Sequence, residues 1–179
     1  MKKLFLLIAL LVSISRVYAT TETEEKIMAL KVLKKYTETV AYPTNFDLEN
    51  KKPLASLLDN VFTIKRDTKY GEATYYVLWS GDFGCMGGSG TESFYVSEIY
   101  RDDSSKPFLV MNDEAFGKAF SEINTRFIES IKQYGISHFE VIALKYGKDD
   151  ANCCPSLKYQ YTVRKNSGEW VISSKKRLK

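Results

Sequence analysis

Leu157-Lys158-Tyr159-Gln160-Tyr161-Thr162-Val163-Arg164 alternates apolar or aromatic residues with polar ones at every step. A period of two puts Leu157, Tyr159, Tyr161 and Val163 on one face and Lys158, Gln160, Thr162 and Arg164 on the other. Such a strand needs one buried and one wet face, the pattern of an antiparallel sheet covered on one side. Asn166-Ser167-Gly168 is a turn, and Trp170–Ser174 returns as the next strand. On the upstream side, Arg126–Gln133 and Ser137–Tyr146 read as strands paired through a turn near Tyr134-Gly135. Further back, Val61–Lys65, Ala73–Trp79 and Ser93–Arg101 are rich in β-branched and aromatic residues. Turn formers separate them, first over Asp67–Gly71 and then over Gly81–Gly90. Phe108–Met111 adds a short strand. Asp113–Ser121 is a helical turn or irregular, with Gly117 against a regular helix.

Before Val61 the period is helical. Thr21-Glu22-Thr23-Glu24 has the form of a capping box. Ile27, Leu30, Leu33, Tyr36 and Val40 follow at helical spacing, which predicts an amphipathic helix from about Thr23 to Val40 whose stripe packs on the chain's own core. Pro43 disfavours helix at Tyr42 and ends it. Pro53–Asp59 predicts a short second helix. The expected fold is therefore α+β, an N-terminal amphipathic helix packed on a curled antiparallel sheet of about six or seven strands. The β-rich part runs from about residue 61 to 174, and residues 20–179 form a single domain. No linker, repeat or low-complexity stretch divides them.

The first residues read differently again. Met1-Lys2-Lys3 precedes the apolar run Leu4–Val12, and Val17-Tyr18-Ala19 is a small-residue cleavage site. That is the layout of a secretory signal peptide over 1–19, cleaved after Ala19. The run is about half of the roughly 20 residues a membrane span requires. The expectation is an exported protein, periplasmic or secreted, with no transmembrane segment. The whole chain has 26 basic and 22 acidic residues. Loss of Lys2, Lys3 and Arg16 leaves 23 basic residues against the same 22, too small an excess to recruit nucleic acid. The run Lys175-Lys176-Arg177-Leu178-Lys179 reads as a solvated end.

The cysteines are Cys85, Cys153 and Cys154. An oxidising compartment favours one internal bridge and leaves one thiol over. Cys85 with one of the pair closes a loop of almost 70 residues, and in the chain-entropy model contributes roughly 3–5 kcal/mol. The alternative is a bond between the adjacent Cys153 and Cys154. The long bridge is the expectation, with the choice between Cys153 and Cys154 open. A catalytic thiolate needs a base. His138 is the single histidine, lies in a strand-like run, and is expected to be structural. Three sulfurs and one distant histidine lack zinc-ligand spacing, so no metal or other cofactor is expected.

Two constellations remain. Trp79-Ser80-Gly81-Asp82-Phe83-Gly84-Cys85-Met86-Gly87-Gly88-Ser89-Gly90 is glycine-rich but is followed by a strand, and it lacks the G-K-S/T of a phosphate loop. Its glycines are expected to supply turn conformations. Trp79, Asp82, Phe83, Met86 and Ser89 are its candidate partner-binding residues. Asp149, Asp150 and Asn152 offer oxygens in one turn, but their spacing does not match an EF-hand, and such residues form turns unaided. Asp67–Glu72 is a fainter echo of the same kind. The carboxylates Glu72, Asp82, Glu92 and Glu98 raise the alternative of a hydrolase cleft, which requires a set separation.

Trp79-Ser80-Gly81-Asp82, the following Gly84-Cys85 and, much later, Cys153-Cys154-Pro155-Ser156 resemble small exported bacterial domains of the LppP/LprE lipoprotein type. The similarity covers about Val61 to Ile172. It implies a bacterial envelope protein with the long disulfide and supplies no catalytic residues. This chain lacks the lipidation cysteine of that pattern, so anchoring does not carry over. The functional expectation is a non-enzymatic protein-binding module, in one version an immunity or inhibitor protein against an envelope-targeting toxin or enzyme. The alternatives are a small envelope hydrolase and a structural envelope factor.

Overall fold

Strand β3 (Ala73–Phe83) is buried over all but its last residue, and the other elements are arranged to cover its two faces. The computed structural model describes residues 20–48, 54–88 and 90–179. The expected signal peptide, Pro53 and Ser89 lie outside them. Helix α1 (Glu22–Val40) starts at Thr21, whose side chain accepts the Glu24 N–H while the Glu24 carboxylate accepts the Thr21 N–H. The capping box read in the sequence is thus formed. The helix ends at Val40 with Ala41 as its C-cap, three residues before the expected obstacle at Pro43.

No element is assigned from the sequence to the segment directly after the helix. It forms strand β1 (Ala41–Thr44) and a helical turn, α2 (Asn45–Leu48). Pro43 is tolerated because β1 is an edge strand, where a missing N–H breaks no ladder. A 3-10 helix over Leu54–Asn60 replaces the expected short helix. Strand β2 (Val61–Arg66), strand β4 (Ser93–Arg101) and strand β5 (Leu109–Asn112) follow close to their predicted positions. β1 and β2 pair with successive halves of the same side of β3: Val61 lies opposite Val77, and Ala41 opposite Phe83. Where β1 departs, Ser80 N–H donates to Asn45 Oδ1 (3.1 Å). β4 and then β5 complete a five-stranded antiparallel sheet on the other side.

A second antiparallel sheet corrects the expected single curled one. Strands β6 (Ile128–Gly135), β7 (His138–Lys145), β8 (Leu157–Asn166) and β9 (Glu169–Arg177) form a four-stranded meander. The break falls at residues 113–127, where a one-turn helix, α3 (Lys118–Ser121), and a 3-10 turn over Thr125–Phe127 carry the chain across. Among the described residues there are nine strands in place of six or seven. The lysine-rich tail is solvated, with Lys175, Lys176, Arg177 and Lys179 exposed, and it is also strand as far as Arg177. β9 continues through it, and Lys175 lies opposite Tyr161 with its ammonium over the rings of Tyr159 (4.8 Å) and Tyr161 (5.3 Å).

The result is three layers. Ala73, Tyr75, Val77 and Trp79 of β3 face α1, packing with Ala29, Leu30 and Leu33. Tyr76 and Leu78 face the second sheet and share a core with Phe116, Phe139, Val163 and Trp170. Tyr161 and Val163, from the alternating stretch that identified the sheet, are buried as its period demanded. Trp170 Nε1–H donates to the Tyr76 hydroxyl (3.2 Å), and Gln133 Nε2–H to the Thr63 carbonyl (2.8 Å), so the two sheets are also joined by polar contacts.

Between α1 and the first sheet lies a buried ion cluster. Glu25, 4% exposed, accepts from Arg66 Nε (2.7 Å), Arg101 Nη2 (2.6 Å) and the Tyr75 hydroxyl (2.7 Å). Arg66 also donates to the Thr20 carbonyl, and Arg101 to that of Gly71. Burial alone would raise the Glu25 pKa, but the donors from Arg66, Tyr75 and Arg101 outweigh it and hold it below its ordinary value. Burial, and then the neighbouring Glu25, push the Tyr75 phenol up. A depressed folded-state pKa contributes stability that is present above the unfolded value and lost as pH falls through the folded one. Glu25→Gln, which leaves the buried Arg101 and the half-buried Arg66 without their counter-charge, is expected to cost about 3–5 kcal/mol at pH 7. The gap from wild type should shrink as pH falls from the ordinary value of 4.5 through the depressed one. Urea titrations at neutral and acid pH measure it, and an unchanged gap would show that the charge of Glu25 is not what stabilises the helix.

Candidate functional site

At its last turn β3 loses its covers, and the chain enters the glycine-rich segment. Gly81 lies where β1 crosses β3, and a Cβ there would sit 3.0 Å from the Pro43 carbonyl oxygen. Its absence lets the two backbones approach. Asp82 follows, only 2% exposed. Its Oδ2 accepts the Gly87 N–H (2.6 Å), and its carbonyl accepts the Cys85 N–H (3.1 Å). Gly84 N–H donates to the Val40 carbonyl (2.6 Å), fixing the turn to the end of α1. Asp82 Oδ1 has no hydrogen-bond partner among the described residues. The amides a phosphate cradle would need are thus partly committed: Gly87 to an internal carboxylate and Gly84 to a helix carbonyl.

Beneath the turn is an aromatic stack. Trp79, fully buried, donates Nε1–H to Ser97 Oγ (2.9 Å) and stacks on Tyr95 with ring centroids 4.7 Å apart. Phe83 contacts both rings at its edge, 5.6 Å from Tyr95. Burial raises the Tyr95 phenol pKa, and the negative charge of Asp82 adds to it. The five candidate residues therefore separate. Trp79 and Asp82 are buried supports, Phe83 is a partly exposed rim, and Met86 is 78% exposed. Ser89 lies outside the described residues. Tyr42, on the strand paired with Phe83, is also exposed.

The cysteine pairing differs from expectation. Cys153 is bonded to Cys154, and Cys85 is a free, exposed thiol. Cys85 belongs to a turn tied through Gly84 to the helix layer, whereas Cys153 and Cys154 lie in the β7–β8 connection of the other sheet. Adjacent cysteines need no loop closure to meet. In that connection Asp150 Oδ2 accepts the N–H groups of Gly147 and Ser156 (2.6 Å each), which lower its pKa, so the carboxylate that suggested calcium organises its own loop. Asp67 does the same for Lys69 and Tyr70. Among the described residues no group of three or more His, Cys, Asp and Glu is placed to hold a metal ion. His138 stacks on Tyr134 (5.2 Å) at the start of β7.

The carboxylates of the hydrolase alternative are dispersed. Glu72 pairs with Lys65 (2.6 Å) before β3 begins, while Asp82 lies near its far end, roughly 30 Å away at 3.4 Å per residue. Glu92 accepts from Ser80 Oγ (3.0 Å), and Glu98 sits mid-strand opposite Tyr76.

A cleft that the sequence did not disclose adjoins the turn through Tyr95. On the side away from β3, the first half of β4 has no strand; instead residues 113–125 run past it, held by Ala115 N–H to the Val96 carbonyl (2.7 Å). The space between them is about 150 Å³, walled by Phe94, Tyr95, Phe116 and Phe120 with Asp113 and Glu114 beside them. Tyr36 of α1 donates its hydroxyl to Asp113 (3.2 Å). No local pattern brings residues 94–95 to 113–120; only the crossing between sheets does.

No family model, no curated protein and no solved structure matches this chain. Among the described residues no helix is long and apolar enough to cross a membrane.

Two outcomes follow for the turn. Alkylation of the native, unreduced protein should label Cys85 alone, with peptide mapping finding Cys153 and Cys154 joined; a blocked Cys85 would contradict this pairing. Asp82→Ala should abolish hydrogen-exchange protection at the Gly87 amide while costing about 1–3 kcal/mol overall. Retained protection would mean that the carboxylate does not order the turn.

Proposed function

We propose that this protein is an exported, non-enzymatic protein-binding module of the bacterial periplasm that recognises its partner through the β3–β4 turn, in one version as an immunity or inhibitor protein. The observation that carries the reading is Met86, almost four-fifths exposed on a turn whose anchors are buried. A turn already held by its anchors spares backbone ordering on binding, and the flexible methionine adapts to the partner's contour at a cost in side-chain freedom. Phe83 at its base adds aromatic area of the kind that dominates interface energetics. Export rests on the signal-peptide pattern of residues 1–19. The envelope setting also draws on the Gly84-Cys85 and Cys153-Cys154-Pro155-Ser156 resemblance, though that resemblance brought with it a long bridge this structure does not have.

The test is affinity capture from envelope extract and spent medium with the oxidised protein and its Met86→Ala and Phe83→Ala variants. A stoichiometric partner is expected with the wild type. Each variant should weaken it by about 2 kcal/mol with an unchanged urea midpoint for Met86→Ala. A partner that binds both variants normally would remove the turn from the interface.

A further inference from the structure

The cleft beside Tyr95 has a chemistry of its own. Phe116 is buried, and Phe94 and Phe120 are half-buried, with Phe116 and Phe120 in ring contact (5.0 Å). A volume near 150 Å³ suits one benzene-sized group. Asp113 is partly exposed and Glu114 exposed, and neither forms an ion pair among the described residues. Arg126 lines a separate notch with Glu92 and Phe94 and lies against Gly90. Lys118 lines the cleft on the far side of Phe116, toward β9. Aromatic faces carry negative potential and attract cations, and two unneutralised carboxylates at the same opening add to it.

We infer that this cleft binds an organic cation, an alkylammonium or guanidinium head seated against Phe94, Phe116 and Phe120 beside Asp113 and Glu114. Aromatic walls accept the methylenes and the face of the head, and the carboxylates accept its N–H donors. Ring and carboxylate together select a cation over a neutral alkyl chain, which the rings alone do not. The head belongs either to a free amine or to a lysine or arginine of a partner protein. In the second case the cleft extends the interface proposed for the neighbouring turn, but cation binding does not rest on that reading.

The experiment is an NMR titration of the isotope-labelled, oxidised protein, following the amides of residues 94–96 and 113–121. The probes are n-butylammonium chloride, n-butanol as its neutral counterpart, and lysine blocked at both backbone ends. Saturable shifts are expected with n-butylammonium, with n-butanol at least about tenfold weaker. Binding of blocked lysine as well would assign the head to a partner side chain; binding of the free amine alone would assign a small-molecule ligand. The double variant Asp113→Asn/Glu114→Gln keeps the shape and should weaken n-butylammonium about tenfold or more. Phe120→Leu, at a half-buried position, should weaken it separately. Equal binding of n-butanol, an unaffected charge-neutral double variant, or no saturable shift in the folded wild type would each overturn the inference. None of these results bears on Met86 and Phe83, so failure of the cleft and failure of the proposed interface are distinguishable.

Discussion

Burial of β3 on both faces is the constraint from which the other layers follow. A strand with one wet face needs one cover; this one has Tyr75, Val77 and Trp79 on one side and Tyr76 and Leu78 on the other, all 8% exposed or less. Leaving either set in water forfeits about 1.5–3 kcal/mol for each large side chain. The helix supplies one cover and the β6–β9 meander the second. Each cover buries its apolar face against this strand and its neighbours.

The two interfaces are fastened differently. Against the meander the polar content is neutral, a Trp170–Tyr76 hydrogen bond inside an aromatic cluster. Against the helix it is ionic: Glu25 meets one arginine from β2, another from β4, and the β3 tyrosine between them. Ions buried in this way seldom improve on well-packed apolar residues in net stability, but a half-broken set is costly. Helix α1 therefore has one low-energy register, in which Glu25 faces both guanidinium groups. A slide of one turn along the sheet would separate Glu25 from both guanidinium groups.

The sequence disclosed the elements whose signal is local. The capping box at Thr21, the alternation of Leu157–Arg164 and the turn at Asn166–Gly168 each depend on residues a few positions apart, and each is found where its chemistry put it. Two features that depend on distant partners were hidden. β1 is four residues long and contains Pro43, so nothing in it reads as a strand; it exists because β3 offers an unpaired edge at Gly81–Phe83. One sheet and two sheets share the same alternation, and what divides them is the crossing at 113–127, whose weak helical signal was legible but whose role was not. The candidate turn shows the same division. Its glycines were readable as turn formers, but Met86, Trp79 and Asp82 all read alike as candidate contacts, and only the first is exposed, since burial is a property of what packs above a residue. The cleft beside Tyr95 was beyond reach for the same reason.

The end of β3 is where the constraint relaxes, and that accounts for the site's position. Up to Asp82 each residue is claimed by a cover. Beyond it α1 has finished at Val40, and the Gly84 N–H takes the carbonyl that the helix end leaves free. On the other side, β5 pairs only with the second half of β4, leaving the first half facing the crossing segment across a gap. A turn held in place yet uncovered and a partly filled cleft thus arise together, from elements that stop short of the longest strand. Tyr95 belongs to both, stacking on Trp79 below the turn and lining the cleft beside it. Phe83 packs on the same Tyr95 ring that walls the cleft, so the turn and the cleft share one aromatic side chain.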